Sequence, residues 1–123
     1  MADVRASLVL CYGLVQVAGY AVAQDEPVRI ACVGDSITFG AGVEPRERSC
    51  YPAVLGAFLG KGYEVRNFGV SGATLLSAGD LPYVEQGAFR QALDFSPHVV
   101  VICLGTNDTK PWNWEHRQQF ASD

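Results

Sequence analysis

Short apolar runs alternate with polar and glycine-rich stretches along most of the chain. The run VRIACV at 28–33 predicts a β-strand, because it is continuous, rich in β-branched residues and followed directly by glycine. A loop rich in glycine and charge is expected over 34–48. The segment YPAVLGAFL predicts a helix at Tyr51–Leu59, with Ser49 as its N-cap and Gly60 at its end.

The alternation continues to the end of the chain. The predicted elements are a short strand at 64–67, a loop at 68–79, a helix at 82–94, a strand at 98–104 and a last helix capped by Asn113. The helix at 82–94 is predicted from apolar residues on one of its faces: Leu81, Val84, Ala88 and Ala92.

The order strand, helix, strand, helix, strand predicts an α/β domain with a parallel sheet. The third strand is apolar at every position from Val99 to Leu104, which is typical of a strand covered on both faces. No later segment has the pattern of a further strand, and proteins normally cover a long apolar edge. We therefore expect the domain to be incomplete.

The first residues differ from the rest. No charged residue occurs from Ala6 to Ala23, and this stretch ends in the small-x-small sequence AVA. The sequence therefore predicts a signal peptide at 1–23, cleaved after Ala23, and a secreted or periplasmic mature chain at 24–123. A membrane anchor helix is the alternative, since the apolar stretch is nearly long enough to span a bilayer.

Composition narrows the function. Apolar residues make up 49% of the chain, enough for a packed core, and the formal net charge of −4 without a basic patch argues against a nucleic-acid partner. Cys32, Cys50 and Cys103 follow the predicted cleavage site; an odd number does not make a closed disulfide set, and Cys32 and Cys103 lie in apolar runs as buried hydrophobes. No cysteine or histidine pair has metal-ligand spacing, so we expect no metal site.

Three motifs of small and polar residues follow the three predicted strands. They are GDS at 34–36, NFGVSG at 67–72 and GTND at 105–108. Ligands of open α/β sheets bind at the carboxyl ends of the strands, so the three motifs are expected to share one edge.

The chemistry of the motifs is complementary. Ser36 can act as a nucleophile if a base takes its proton. Gly72 allows its backbone N–H to approach a ligand oxygen closely, and the side chain of Asn107 offers another donor. A serine with convergent donors stabilises the oxyanion of acyl transfer, where one donor is worth about 2.7–4 kcal/mol.

These motifs resemble the three conserved blocks of the SGNH hydrolase family, also called GDSL esterases and lipases. The resemblance runs from Val28 to about Trp114. It implies a flavodoxin-like three-layer α/β/α fold with a parallel sheet, of which about three strands are present. It also implies that Ser36 is the nucleophile and that Gly72 and Asn107 donate to the oxyanion hole. Gly69 is the alternative donor in the second block.

The sequence departs from the family pattern at its end. The family carries an Asp-x-x-His pair in a last block, and the sequence up to Asp123 contains none. We therefore interpret 24–123 as the N-terminal part of an SGNH hydrolase domain, and we expect the chain alone to be nearly inactive. Among its histidines, His98 is expected at the strand end opposite the motifs and His116 on a solvated face.

Other residues near the motifs have simpler interpretations. Asp35 is expected to hold its loop by accepting backbone hydrogen bonds, and Asp108 either supports the structure or lines the cleft. Trp112 and Trp114 either pack the last helix against the sheet or stack on a sugar.

The sequence thus predicts a secreted serine ester hydrolase acting on carboxylic esters, with acetylated carbohydrates as the first substrate class and short-chain lipid esters as the second. No cofactor is expected, and the partner is a small-molecule or carbohydrate ester, with no stable membrane insertion after signal cleavage. The sequence leaves the oligomeric state open.

A non-catalytic extracellular binding module on a truncated scaffold is the alternative function. Such a module should behave as a soluble, cooperatively unfolding domain, whereas a fragment of an enzyme should aggregate.

Overall fold

The computed structural model describes residues 26–123, so the predicted signal peptide and its cleavage site lie outside the described residues. Within that part, no helix combines the length and the apolar content needed to cross a lipid bilayer. The strands are β1 (Val28–Gly34), β2 (Tyr63–Gly69) and β3 (Val99–Cys103). The helices are α1 (Ser36–Phe39), α2 (Arg46–Ser49), α3 (Tyr51–Leu59), α4 (Gly87–Asp94) and α5 (Pro111–Trp114), and single 3₁₀ turns lie at Tyr83–Glu85, Asn107–Thr109 and Arg117–Gln119.

The strands form a parallel sheet in the order β2-β1-β3. Gly34 at the end of β1 lies opposite Gly69 of β2 and Cys103 of β3, so all three strands end at the same edge. The order 2-1-3 begins the flavodoxin-like arrangement. The predicted α/β class and parallel sheet are therefore confirmed.

Helices lie on both faces of the sheet. Alternate residues of a strand point to opposite faces. Ala31 and Val33 of β1 belong to the main core cluster, with Phe68 and with Ala92 of α4. On the other face, α3 packs on β2, where Gly56 approaches the side chain of Val65. The packing is that of a three-layer α/β/α domain.

The helix predicted at 82–94 is wrong in its first half. A 3₁₀ turn occupies Tyr83–Glu85, Gln86 is extended (φ −82°, ψ 148°), and α4 begins only at Gly87. Tyr83 is held by contacts elsewhere, since its N–H donates to the carbonyl of Thr74 (3.0 Å) and its hydroxyl donates to the carbonyl of Phe68 (2.7 Å). These long-range bonds override the local helical pattern, and Val84 is exposed.

Two further local predictions need correction. The stretch 34–48 is a helical connection rather than a plain loop, because α1 and most of α2 lie in it. Ser49 is the last residue of α2, and Cys50, without a side-chain cap, precedes α3. Asn113 lies inside α5, where its buried side chain bonds to other loops, and Lys110 takes the capping position before Pro111.

β3 forms an edge of the described sheet. Its first four residues are exposed to solvent, with Ile102 the most exposed of them at 65%. An apolar groove of about 230 Å³ runs between β3 and α4, lined by residues that include Val100 and Leu93. Within the described residues, β3 is therefore not covered on both faces, although its apolar composition is typical of a covered strand.

Candidate active site

Three loops meet beyond the common edge where the strands end. β1 continues into Asp35 and α1, β2 continues into the turn around Gly72, and β3 continues through Leu104 into the 3₁₀ turn that begins at Asn107. The register places the three predicted site residues, Ser36, Gly72 and Asn107, in these three loops.

Ser36 is the first residue of α1 and is partly exposed. Asp35, almost fully buried, caps this helix: its Oδ1 accepts a hydrogen bond from the N–H of Ile37 (2.9 Å). The predicted role of Asp35 in holding the loop is therefore confirmed. Among residues 26–123, neither the hydroxyl nor the N–H of Ser36 has a hydrogen-bond partner, so both are free for a ligand.

The side chain of Asn107 connects the three loops. Its Nδ2 donates to the carbonyl of Ala73 at 3.0 Å, directly after Gly72. The same nitrogen lies 3.5 Å from Oδ2 of Asp35, the residue before Ser36. A separation of 3.5 Å is at the outer limit of a hydrogen bond, so the contact with Asp35 is weak. The amide hydrogen of Asn107 that does not bond to Ala73 can therefore donate to a substrate oxygen.

Gly72 and Gly69 are placed very differently. Gly72 has a φ of +87°, and within the described chain no hydrogen bond occupies its N–H. The N–H of Gly69, in contrast, donates to Oδ1 of Asn67 (2.9 Å), and a Cβ on Gly69 would overlap the backbone of Phe39. Gly72 therefore has the available donor, and Gly69 is required for close backbone packing.

Asn67 has a supporting role that sequence reasoning missed. Besides accepting from Gly69, its Nδ2 donates to the carbonyl of Thr38 at 2.7 Å. One side chain thus ties the end of β2 to α1, the helix that begins with Ser36. Its position in the motif NFGVSG was the available signal, but the local sequence gives no indication of this partner.

Asp108 is structural. It is fully buried, and its two carboxylate oxygens accept from consecutive backbone N–H groups, those of Leu75 (3.0 Å) and Leu76 (2.7 Å). The carboxylate therefore fixes the course of the loop that follows Gly72. This decides between the two interpretations that the sequence left for Asp108.

A polar cluster around Asp80 was also missed. The amide of Asn113 donates to Asp80 (2.9 Å) and to the carbonyl of Asn107 (2.9 Å), and its oxygen accepts from the N–H of Asp80 (2.8 Å). Trp112 donates its indole N–H to the same carboxylate at 3.0 Å, and Lys110 lies 3.4 Å from it. The hydrogen bonds from Asn113 and Trp112 hold the pKa of Asp80 below its usual value.

Neither histidine of the described chain is placed as a partner of Ser36. His98 precedes β3, and its Nδ1 accepts from the N–H of Arg29 near the start of β1, at the end opposite Ser36. His116 is exposed, between α5 and the last 3₁₀ turn. Within residues 26–123, no group of three potential metal-ligating side chains converges.

Burial in the core raises the pKa of one cysteine thiol and one tyrosine hydroxyl. Cys32 is buried, as predicted, and burial raises the pKa of its thiol. Cys103 is only partly buried because β3 lies at the edge. Burial also raises the pKa of Tyr83 to about 12, so this phenol stays neutral and donates to the carbonyl of Phe68.

Comparison with known proteins gives two matches. The sequence matches the model of the GDSL-like lipase/acylhydrolase family over residues 32–121. It is 50% identical over 100 residues to the acetylxylan esterase of Xylanibacter ruminicola, an alignment that covers 81% of this chain and 21% of that protein. The chain thus spans about a fifth of the length of this curated relative. No solved structure matches the chain.

Proposed function

The chain belongs to the GDSL-like lipase/acylhydrolase family, and we propose that it carries the nucleophile and the oxyanion donors of an ester hydrolase. The observation that supports this most directly is the contact of Asn107 with both other loops, at Ala73 and at Asp35. Three motifs far apart in the sequence meet at one point, and each brings a group that acyl transfer requires.

In the proposed reaction, the Oγ of Ser36 attacks the ester carbonyl carbon and loses its proton to a base. The carbonyl oxygen becomes an oxyanion, which accepts hydrogen bonds from the N–H of Ser36, the N–H of Gly72 and the amide of Asn107. The C–O bond to the alcohol then breaks, and the base returns its proton to the leaving oxygen. Water attacks the acyl-enzyme by the same route in reverse and releases the acid.

The base is proposed to be a histidine outside the described residues. His98 is bonded to Arg29 near the start of β1, whereas Ser36 follows its end. The exposed His116 has neighbours of both charges, Glu115 and Arg117, which suits a solvated face.

Acetylated carbohydrates are the proposed substrates. The 50% identity to a protein named acetylxylan esterase supports an acetyl ester on a sugar chain, and the family match at 32–121 includes all three motifs. We further propose that residues 1–23 direct export and are removed after Ala23. Mass spectrometry of the protein recovered from the medium or the periplasm would then find Gln24 as its first residue, and an N-terminus within 1–23 would contradict cleavage there.

The test is ester hydrolysis by the complete gene product and its Ser36→Ala variant. We expect the substitution to lower kcat on acetylated xylan and on p-nitrophenyl acetate by about 10³-fold or more, since acyl-enzyme formation is lost. Ser49→Ala, at an exposed serine at the end of α2, is the matched control and should keep full activity. Equal activity of the Ser36→Ala variant and the control would refute the assignment.

A further inference from the structure

An exposed tryptophan lies in α5, shortly after the turn that begins at Asn107, and its indole N–H is hydrogen-bonded. Trp112 is 57% exposed, although a large aromatic side chain gains most by burial. Its indole N–H is bonded to Asp80 at 3.0 Å, and the ammonium of Lys110 lies 5.9 Å from its ring centroid. We call these three side chains, Trp112, Asp80 and Lys110, the tryptophan platform.

The platform is connected to the oxyanion donors through short contacts. Asn113, adjacent to Trp112, is buried and donates to both Asp80 and the carbonyl of Asn107. From the other side, Leu81 follows Asp80 and reaches to 3.5 Å from the place that a Cβ on Gly72 would occupy. The Trp112 ring is therefore bonded to Asp80, and Asp80 is joined through the buried amide of Asn113 to the backbone of Asn107.

The chemistry of the platform fits a neutral sugar ring. An aromatic face provides an apolar surface against the C–H groups of a pyranose, while the Asp80 carboxylate accepts from hydroxyl groups and the Lys110 ammonium donates to them. The carboxylate and the ammonium compensate each other, so the surface does not select for a charged ligand.

We propose that the tryptophan platform is a carbohydrate subsite that binds a pyranose unit of the substrate next to the ester that Ser36 attacks. This inference rests on the proposed function and adds the residues that recognise the sugar. Packing of Trp112 into the core is the alternative, and its exposure argues against this. Trp114 is also exposed, at 44%, but it differs because its ring packs against that of Phe120 at a centroid separation of 6.4 Å.

The test measures binding without catalysis. Xylohexaose without acetyl groups is titrated into the Ser36→Ala variant of the complete gene product, and affinity is measured by calorimetry. Adding Trp112→Ala is expected to weaken binding by about tenfold or more, and Trp112→Phe by less, because the phenyl ring keeps part of the stacking face. Trp114→Ala is the matched control and should leave the affinity unchanged. Thermal unfolding of each variant checks that it is folded.

A second measurement separates the subsite from the reaction. With Ser36 intact, the ratio of kcat/KM for acetylated xylohexaose to that for p-nitrophenyl acetate should fall about tenfold in Trp112→Ala and stay constant in Trp114→Ala. The absence of xylohexaose binding, or equal affinity in the Trp112→Ala and Trp114→Ala variants, would overturn the subsite. Hydrolysis that persists in Ser36→Ala would instead overturn the proposed function, so the two failures are distinguishable.

Discussion

Removal of the Asp108 carboxylate should destabilise the fold by an amount that the structure allows us to work out. Asp108→Ala leaves two backbone donors without partners. The N–H of Leu76 is buried, whereas that of Leu75 is only partly buried and can recover some hydration. An unsatisfied buried donor costs about 1–3 kcal/mol, so we expect the free energy of unfolding to fall by about 2–4 kcal/mol.

Asp108→Asn has nearly the same shape and tests the same reasoning with less risk to folding. It keeps one acceptor oxygen, so it should lose about 1–2 kcal/mol and fall between wild type and Asp108→Ala. Asp94→Asn is the control, because this exposed carboxylate at the end of α4 has no hydrogen-bond partner in the described chain. Its effect should stay within about 0.5 kcal/mol.

The assay is urea unfolding followed by far-ultraviolet circular dichroism, with the free energies obtained by linear extrapolation. We expect Asp94→Asn to be the most stable variant, Asp108→Asn to be less stable and Asp108→Ala to be the least stable. If Asp108→Ala does not fold, the comparison of Asp108→Asn with the control Asp94→Asn tests the role of the carboxylate. Equal stability of Asp108→Asn and Asp94→Asn would refute the structural role of the carboxylate.

Three further predictions follow from single residues. Burial raises the pKa of Tyr83 to about 12, so the neutral phenol contributes its full stability below the usual tyrosine pKa of about 10, and this contribution is lost as the pH rises towards 12. Tyr83→Phe should remove the last step of an absorbance titration of the tyrosines, and a last step that persists in this variant would contradict the raised pKa. His116→Ala should keep kcat of the complete gene product within about threefold, whereas a fall of about 10²-fold would identify His116 as the base. Gly69→Ala should lower the free energy of unfolding in urea more than Gly72→Ala does. A methyl group on Gly69 would overlap the backbone of Phe39, whereas a methyl group on Gly72 has room and costs only the strain of its positive φ. The reverse order would argue against the close packing of Gly69 on Phe39.

The elements predicted most reliably from the sequence are those whose structure depends on neighbouring residues along the chain. The run at 28–33 lies within β1, and the helix at Tyr51–Leu59 was predicted with its observed ends, because Gly60 terminates an apolar segment that nothing else interrupts. The loops that meet at the sheet edge could also be predicted, because parallel strands bring their carboxyl ends together.

The elements that failed are those decided by distant partners. Tyr83 leaves the helical pattern because it bonds to Thr74 and Phe68, and Asn113 is drawn into α5 by Asp80, far away in the sequence. An asparagine that bonds across loops has the same local sequence signal as one that caps a helix. The supporting residues of the site were therefore invisible to pattern reasoning, although the three loops that carry the proposed catalytic groups could be predicted.

The nucleophilic role of Ser36 is tested most directly by covalent labelling. A fluorophosphonate probe reacts with an activated serine by forming an O–P bond and releasing fluoride, and peptide mapping by mass spectrometry identifies the labelled residue. In the folded complete gene product, we expect a single adduct on Ser36, none on Ser71 of the second motif, and none after unfolding in urea. An adduct on another residue, or ester hydrolysis that continues while Ser36 stays unlabelled, would contradict the account.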